Sequence, residues 1–179
     1  LYRKNVERWV SRKSTVDHLY MSQHPGIFAW ELANEPRPMK PEAREYYVNW
    51  AKNTARTIQR LDSVHLITIG VEGSIGTLQD LNLFEEIHQI NEIDFCTIHL
   101  WPRTWNWYTD SNAAVQDSTL QKTERYIMQH VQACERLNKP LIIEEFGMQR
   151  DGNSLSFEAT TLQRDKYYQF VLNCVRKYK

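Results

Sequence analysis

Apolar residues recur along this chain in two alternating rhythms. At the amino end Tyr2, Val6, Trp9 and Val10 share one helical face, and the pattern predicts a helix over residues 1–22. His24-Pro25-Gly26 stops it, and IFAWEL follows as a strand of bulky apolar residues. NEPRPMKP is a loop, with Pro41 suited to the first position of the next helix. That helix carries Tyr47, Trp50, Ala51, Thr54, Ile58 and Leu61 as its stripe. HLITIG is a second strand and GVEGSIG a glycine-rich loop; a short helix near 80–89 precedes a third strand, IDFCTIHLW. A long polar-aromatic loop runs from Pro102 to about Asp117. Leu120, Thr123, Ile127, Val131, Cys134 and Leu137 then form another helical stripe. Lys139-Pro140 leads into a fourth strand, LIIEEFG, and Tyr167, Tyr168, Val171 and Val175 mark a last helix.

The order is a helix and then strand–helix four times. Strands that are apolar throughout and separated by helices imply a parallel sheet covered by helices. A doubly wound sheet and a (β/α)₈ barrel share that pattern. No GxGxxG follows a strand and no P-loop occurs, so a nucleotide-binding sheet lacks its usual signature. Eight βα units take about 250 residues. The 179 residues here hold four. The expectation is one α/β domain over residues 1–179, a partial (β/α)₈ barrel. Four strands would leave two open edges and a bare inner face, so the 179 residues alone are expected to be poorly active.

Lys plus Arg (22) balances Asp plus Glu (22), which leaves no net field to recruit nucleic acid and suits a neutral substrate. No apolar run approaches the roughly 20 residues that span a bilayer. LYRKNVERWV is an amphipathic helix already under way rather than a signal peptide. Cys96, Cys134 and Cys174 are far apart with no CxxC and are expected as buried free thiols. Nothing in the pattern implies an obligate protein partner.

Polar residues gather at the carboxyl ends of the strands: Asn34-Glu35, Glu72, His99 and Glu144-Glu145. In a barrel that rim is the active-site face. Two carboxylates on separate strands suit glycoside hydrolysis, which needs an acid for the leaving oxygen and a carboxylate across the sugar ring. A single strand-end Glu is weak evidence, since such residues often cap helices or pair with Arg. A metal-dependent hydrolase is disfavoured, because the six His residues are scattered with no HxH on a strand. No cofactor is expected.

WELANEPR followed by PLIIEEFG resembles glycoside hydrolase family 5, in the clan of retaining (β/α)₈ glycosidases. The resemblance implies that Asn34 and Glu35 end the fourth strand of the family fold, with Glu35 as general acid/base. It makes Glu145, before Phe146-Gly147, the nucleophile at the end of the seventh. HLWP resembles the family's sixth-strand His motif, and GVEG, IDFCTIHLWPRTWNW and the RDG after EEFG look most like the endo-β-mannanase branch, particularly its bacterial members. The likeness runs through the whole chain, from the third helix of the barrel to the seventh, so strands one to three and eight would be absent. Many members carry a Tyr where this chain has Trp101; an indole N–H donates but cannot accept.

What the resemblance implies is a retaining endo-acting hydrolase of β-1,4-mannosidic bonds in mannan, glucomannan or galactomannan. A β-1,4-glucanase of the same family and an inert carbohydrate-binding fragment are the alternatives. A polymer substrate implies an extracellular or periplasmic enzyme. Glu35 is expected protonated and Glu145 ionised, their carboxyls about 5–5.5 Å apart. Asn34 is expected on the hydroxyl next to the anomeric carbon. Strand parity puts His99, Trp101 and Glu145 in the barrel mouth and turns Glu144 away; Asn34 and Glu35 both belong in the site, which predicts a bulge or break there. Trp101, Trp105 and Trp107 stand in a polar loop as candidate sugar platforms, with local packing as the other reading. Arg37 is a candidate contact on the leaving-group side or a surface ion pair, and Glu72 a candidate lining residue.

Overall fold

The structure is a computed structural model that describes residues 1–109 and 113–178. Its elements are α1 (Tyr2–Val10), β1 (Ala29–Glu31), α2 (Arg44–Leu61), β2 (Leu66–Thr68), α3 (Leu81–His88), β3 (Cys96–Leu100), α4 (Ala113–Leu137), β4 (Leu141–Phe146) and α5 (Leu162–Lys177). Each predicted strand and helix is present in the predicted order. The chain divides into two compact units: Leu1–Ile98 with Cys134–Ile142, and His99–Ala133 with Ile143–Lys179.

In the first unit β1 and β2 run parallel, with Ala29, Trp30 and Glu31 opposite Leu66, Ile67 and Thr68. The seam from β2 toward β3 mixes backbone and side-chain bonds. Asp94 donates its amide to the Ile67 carbonyl (2.8 Å), and its carboxylate takes the Ile67 amide (2.7 Å). The hydroxyls of Thr68 and Thr97 donate to the Phe95 and Val71 carbonyls. The strands therefore form two ladders, β1–β2 and β3–β4. Ile67, Ile69, Val71, Phe95, Cys96 and Ile98 are buried, and α2 lays Tyr47, Ala51, Thr54 and Ile58 of its predicted stripe on the core, with Ala55 and Thr57 beside them and Trp50 and Leu61 half-buried. Asp80 caps α3 by accepting from the Asn82 amide, and Leu83, Phe84 and Ile87 are fully buried. All three cysteines are buried free thiols. A hydrogen bond with Cys96, then burial, pushes the Cys134 thiol far up.

The first helix is shorter than predicted. It ends at Val10 because side chains beyond it capture the backbone: Ser14 Oγ accepts from the Val16 amide and Asp17 Oδ1 from the Leu19 amide. Lys13 then bridges antiparallel to Tyr20. Of the predicted face only Val10 is buried; Trp9 is 55% exposed, with the Arg12 guanidinium 5.0 Å from its ring centre.

In the second unit α4 begins at Ala113, whereas the sequence predicts a loop to about Asp117; residues 110–112 of that loop lie outside the described residues. Among the described side chains of α4, Gln116, Thr119, Thr123, Tyr126, Ile127, His130, Ala133 and Cys134 are buried; the predicted stripe holds for Thr123, Ile127 and Cys134, while its Leu120, Val131 and Leu137 are half-buried. His130 Nδ1 donates to the Tyr126 carbonyl one turn back (2.7 Å), and burial dominates and pulls its pKa down to about 4. From α5, Tyr167, Val171 and Cys174 are buried. No helix among the described residues is long and apolar enough to cross a membrane.

Candidate active site

The β1–β2 ladder continues past β1 and then slips. Leu32 and Ala33 donate to the Thr68 and Ile69 carbonyls, but it is Glu35, not Asn34, that donates to Gly70 (2.8 Å). Two residues on one side thus meet one on the other, and Glu35 takes a left-handed φ of 47°. This is the break that placing Asn34 and Glu35 together requires. It relies on Gly70: with φ +80°, a Cβ there would lie 2.1 Å from Glu31 Oε1 and 2.4 Å from the Ala33 carbonyl oxygen. Asn34 is exposed and Glu35 half-buried.

Two residues on, Arg37 grips Glu72. Its Nε and Nη2 donate to the two carboxylate oxygens, each at 2.6 Å. Glu72 is 1% exposed, whereas the Arg37 side chain is 42% exposed. Arg37 is thus not an ordinary surface pair; it neutralises a buried carboxylate with the bidentate fit a guanidinium supplies. Tyr47 closes the same corner by donating its hydroxyl to the Pro36 carbonyl (2.9 Å), and burial, followed by the Glu72 charge, pushes that hydroxyl's pKa far up. Gly76 leaves room beside them, since a Cβ would stand 2.7 Å from Val71 Cγ2.

The second unit holds the other carboxylate. Trp101 donates its indole N–H to Oε2 of Glu145 at 2.9 Å. The ring lies over Gly147, where a Cβ would be 2.4 Å from Trp101 Cζ3. Gly147 in turn donates its amide to the Leu100 carbonyl (3.1 Å). A cavity of about 150 Å³ opens beside them, lined by Trp101, Arg103, Gly147, Gln149 and Tyr168 among others.

His99 is buried, with Nε2 3.4 Å from Glu144 Oε2 and Nδ1 3.5 Å from Glu145 Oε2. Glu144 therefore does not turn away, contrary to the parity argument. The reason is an irregularity in β4. Cys96 donates to the Pro140 carbonyl and Gly147 to that of Leu100, which pairs Cys96 with Leu141 and Leu100 with Phe146. Four steps along β3 match five along β4. One extra residue breaks the period of two, and both glutamates reach the same histidine.

Trp105 and Trp107 are half-buried and pack locally. They pack on each other (ring centres 4.9 Å apart) and on Tyr126 of α4 (5.4 and 5.6 Å), and Thr119 of α4 donates its hydroxyl to the Trp107 carbonyl. They hold the loop to its helix. Trp101 is the indole of the three that lines the cavity. Glu144, Gly147 and Tyr47 were not among the candidate residues; two adjacent glutamates before Phe-Gly were the available signal for the first.

Residues 1–179 match the model of GH family 5 beta-mannosidase-like proteins over their whole length. Mannan endo-1,4-beta-mannosidase 1 of Arabidopsis thaliana is 31% identical over 188 residues, covering 97% of this chain and 44% of the relative. Mannan endo-1,4-beta-mannosidase A of Aspergillus aculeatus is 32% identical, covering 94% and 44%. The chain thus spans less than half the length of these curated relatives. A family 5 mannosidase from Rhizomucor miehei superposes with a TM-score of 0.84 at 24% identity (96% of this chain, 40% of that one). The endo-1,4-beta-D-mannanase of Thermotoga petrophila does so at 0.80 and 22% (99% and 50%). These structures establish the fold as part of a (β/α)₈ barrel. On the match of its whole length to the family model and its identity to these relatives, the chain belongs to glycoside hydrolase family 5, among its β-mannosidase-like members.

Proposed function

We propose that this chain carries the two catalytic carboxylates of a retaining endo-β-1,4-mannanase, acting on mannan, glucomannan or galactomannan outside the cytoplasm, in the extracellular space or periplasm. The observation that carries the reading is the clamp on Glu145: Trp101 N–H and His99 Nδ1 both address Oε2. The second oxygen, Oε1, is the one that attacks the anomeric carbon. As the carbon–oxygen bond to the departing sugar breaks, Glu35 gives its proton to that oxygen, and Glu145 is left as a glycosyl ester. Glu35, now a carboxylate, takes a proton from water; the hydroxide equivalent attacks the anomeric carbon from the face the first sugar left, and Glu145 is released with overall retention. Asn34, one residue before the acid/base and exposed, binds the neighbouring hydroxyl, and the Arg37–Glu72 pair lines the leaving-group side.

The test is Glu145→Ala and Glu35→Ala in the intact protein, assayed on mannan and on a cellulose-type polymer and followed by azide rescue with an activated mannoside. Glu145→Ala should yield the α-glycosyl azide and Glu35→Ala the β. Activity surviving in Glu145→Ala would remove the double displacement, and preference for the cellulosic polymer would remove the mannanase assignment.

A further inference from the structure

Glu144 has no part in the reaction above, yet its carboxylate lies 3.4 Å from Nε2 of His99, while Nδ1 of the same ring lies 3.5 Å from Oε2 of Glu145. The His99 side chain is 1% exposed, with a carboxylate facing each ring nitrogen; Glu144 and Glu145 themselves are 21% and 38% exposed. A neutral imidazole carries one N–H; whichever nitrogen holds it, the other turns a lone pair toward a carboxylate oxygen. For a buried ring that opposition is unfavourable, whereas a doubly protonated ring donates at both ends and has its charge compensated. Resting on the reading of Glu145 as nucleophile, we propose that Glu144 is a positioning residue: it takes the Nε2–H of His99 and so fixes the ring as a two-ended donor that presents Nδ1–H to Glu145. Trp101 and His99 then hold Oε2 together, and the broad terminal torsion of the glutamate is narrowed with Oε1 turned to the sugar. The extra residue in β4 is what makes this possible, because in a regular strand Glu144 would face the opposite side.

The experiment uses the intact protein with ¹⁵N-labelled histidine, the His99 signals being assigned by their loss in His99→Asn. In the parent, both ring nitrogens of His99 fall in the protonated range at neutral pH. In Glu144→Gln one of them moves to the unprotonated range, kcat on a manno-oligosaccharide drops about ten- to hundredfold, and KM stays within about twofold. Glu144→Asp, which keeps the charge on a shorter arm, recovers part of kcat. A singly protonated His99 in the parent, or parental kcat in Glu144→Gln, overturns the proposal. If Glu144→Gln fails to fold, the parental ring shifts and the Glu144→Asp kinetics decide. Parental activity in Glu145→Ala would instead sink the hydrolase reading, and the His99 shifts would still report on Glu144.

Discussion

Gly147→Ala isolates the support behind the proposed nucleophile. The backbone at Gly147 is not left-handed, so an alanine is sterically allowed there except for one neighbour. The added methyl would meet Trp101 at 2.4, 2.9 and 3.2 Å from three ring atoms. Carbon atoms rest at about 3.5–4.0 Å, so the indole must retreat by about 1 Å. Its N–H now sits 2.9 Å from Glu145 Oε2, and such a shift takes the bond out of range. Overpacking of this kind costs about 1–3 kcal/mol of stability. A hydrogen bond to a charged group contributes about 1.5–3 kcal/mol; at 1.36 kcal/mol per decade, its loss in the transition state lowers kcat about ten- to hundredfold. The assay is kcat and KM on a manno-oligosaccharide for the intact protein, with thermal melts alongside. Trp101→Phe removes the N–H and shrinks the ring, so adding Gly147→Ala to it should cost little more. Parental kcat in Gly147→Ala, or simple additivity of the two substitutions, would refute the coupling.

Two further outcomes concern stability. Arg37→Leu leaves Glu72 buried without its bidentate guanidinium, and should cost about 2–4 kcal/mol in urea unfolding, less than a fully enclosed pair because the arginine is open to water; the double variant with Glu72→Leu should recover much of it. His130, buried and with its pKa lowered to about 4 from 6.5, binds its proton more weakly when folded than when unfolded. The unfolded chain therefore takes up more protons below pH 6.5, and stability falls between about pH 6.5 and 4, by about 3 kcal/mol. Melts of the parent and of His130→Leu across that window should converge on the acid side if the sign is right.

Element types and order were legible because continuous apolar runs and helical stripes are local signals. The motifs around Glu35 and Glu145 made these two the candidates. What escaped the sequence was non-local or aperiodic. The end of α1 is decided by Ser14 and Asp17 competing for backbone amides, not by the apolar stripe. Parity works only while a strand keeps its register: the slip at Glu35 was inferable from two adjacent polar residues both wanted in the site, but the one at Glu144 left no such clue. The exposed look of Trp105 and Trp107 in a polar loop could not reveal that Tyr126, nearly twenty residues on, lies against them. Nor could the sequence pair Arg37 with Glu72 across 35 positions.

The left-handed backbone at Glu35 has a consequence for how such an enzyme changes over time. Glycine or asparagine would rest more easily at a φ of 47°, and a glutamate held there costs on the order of 1 kcal/mol. On the role proposed for Glu35, drift that favoured thermal robustness alone would erase the acid/base and leave a sturdier, silent fold, so keeping a glutamate at this angle sets turnover against endurance.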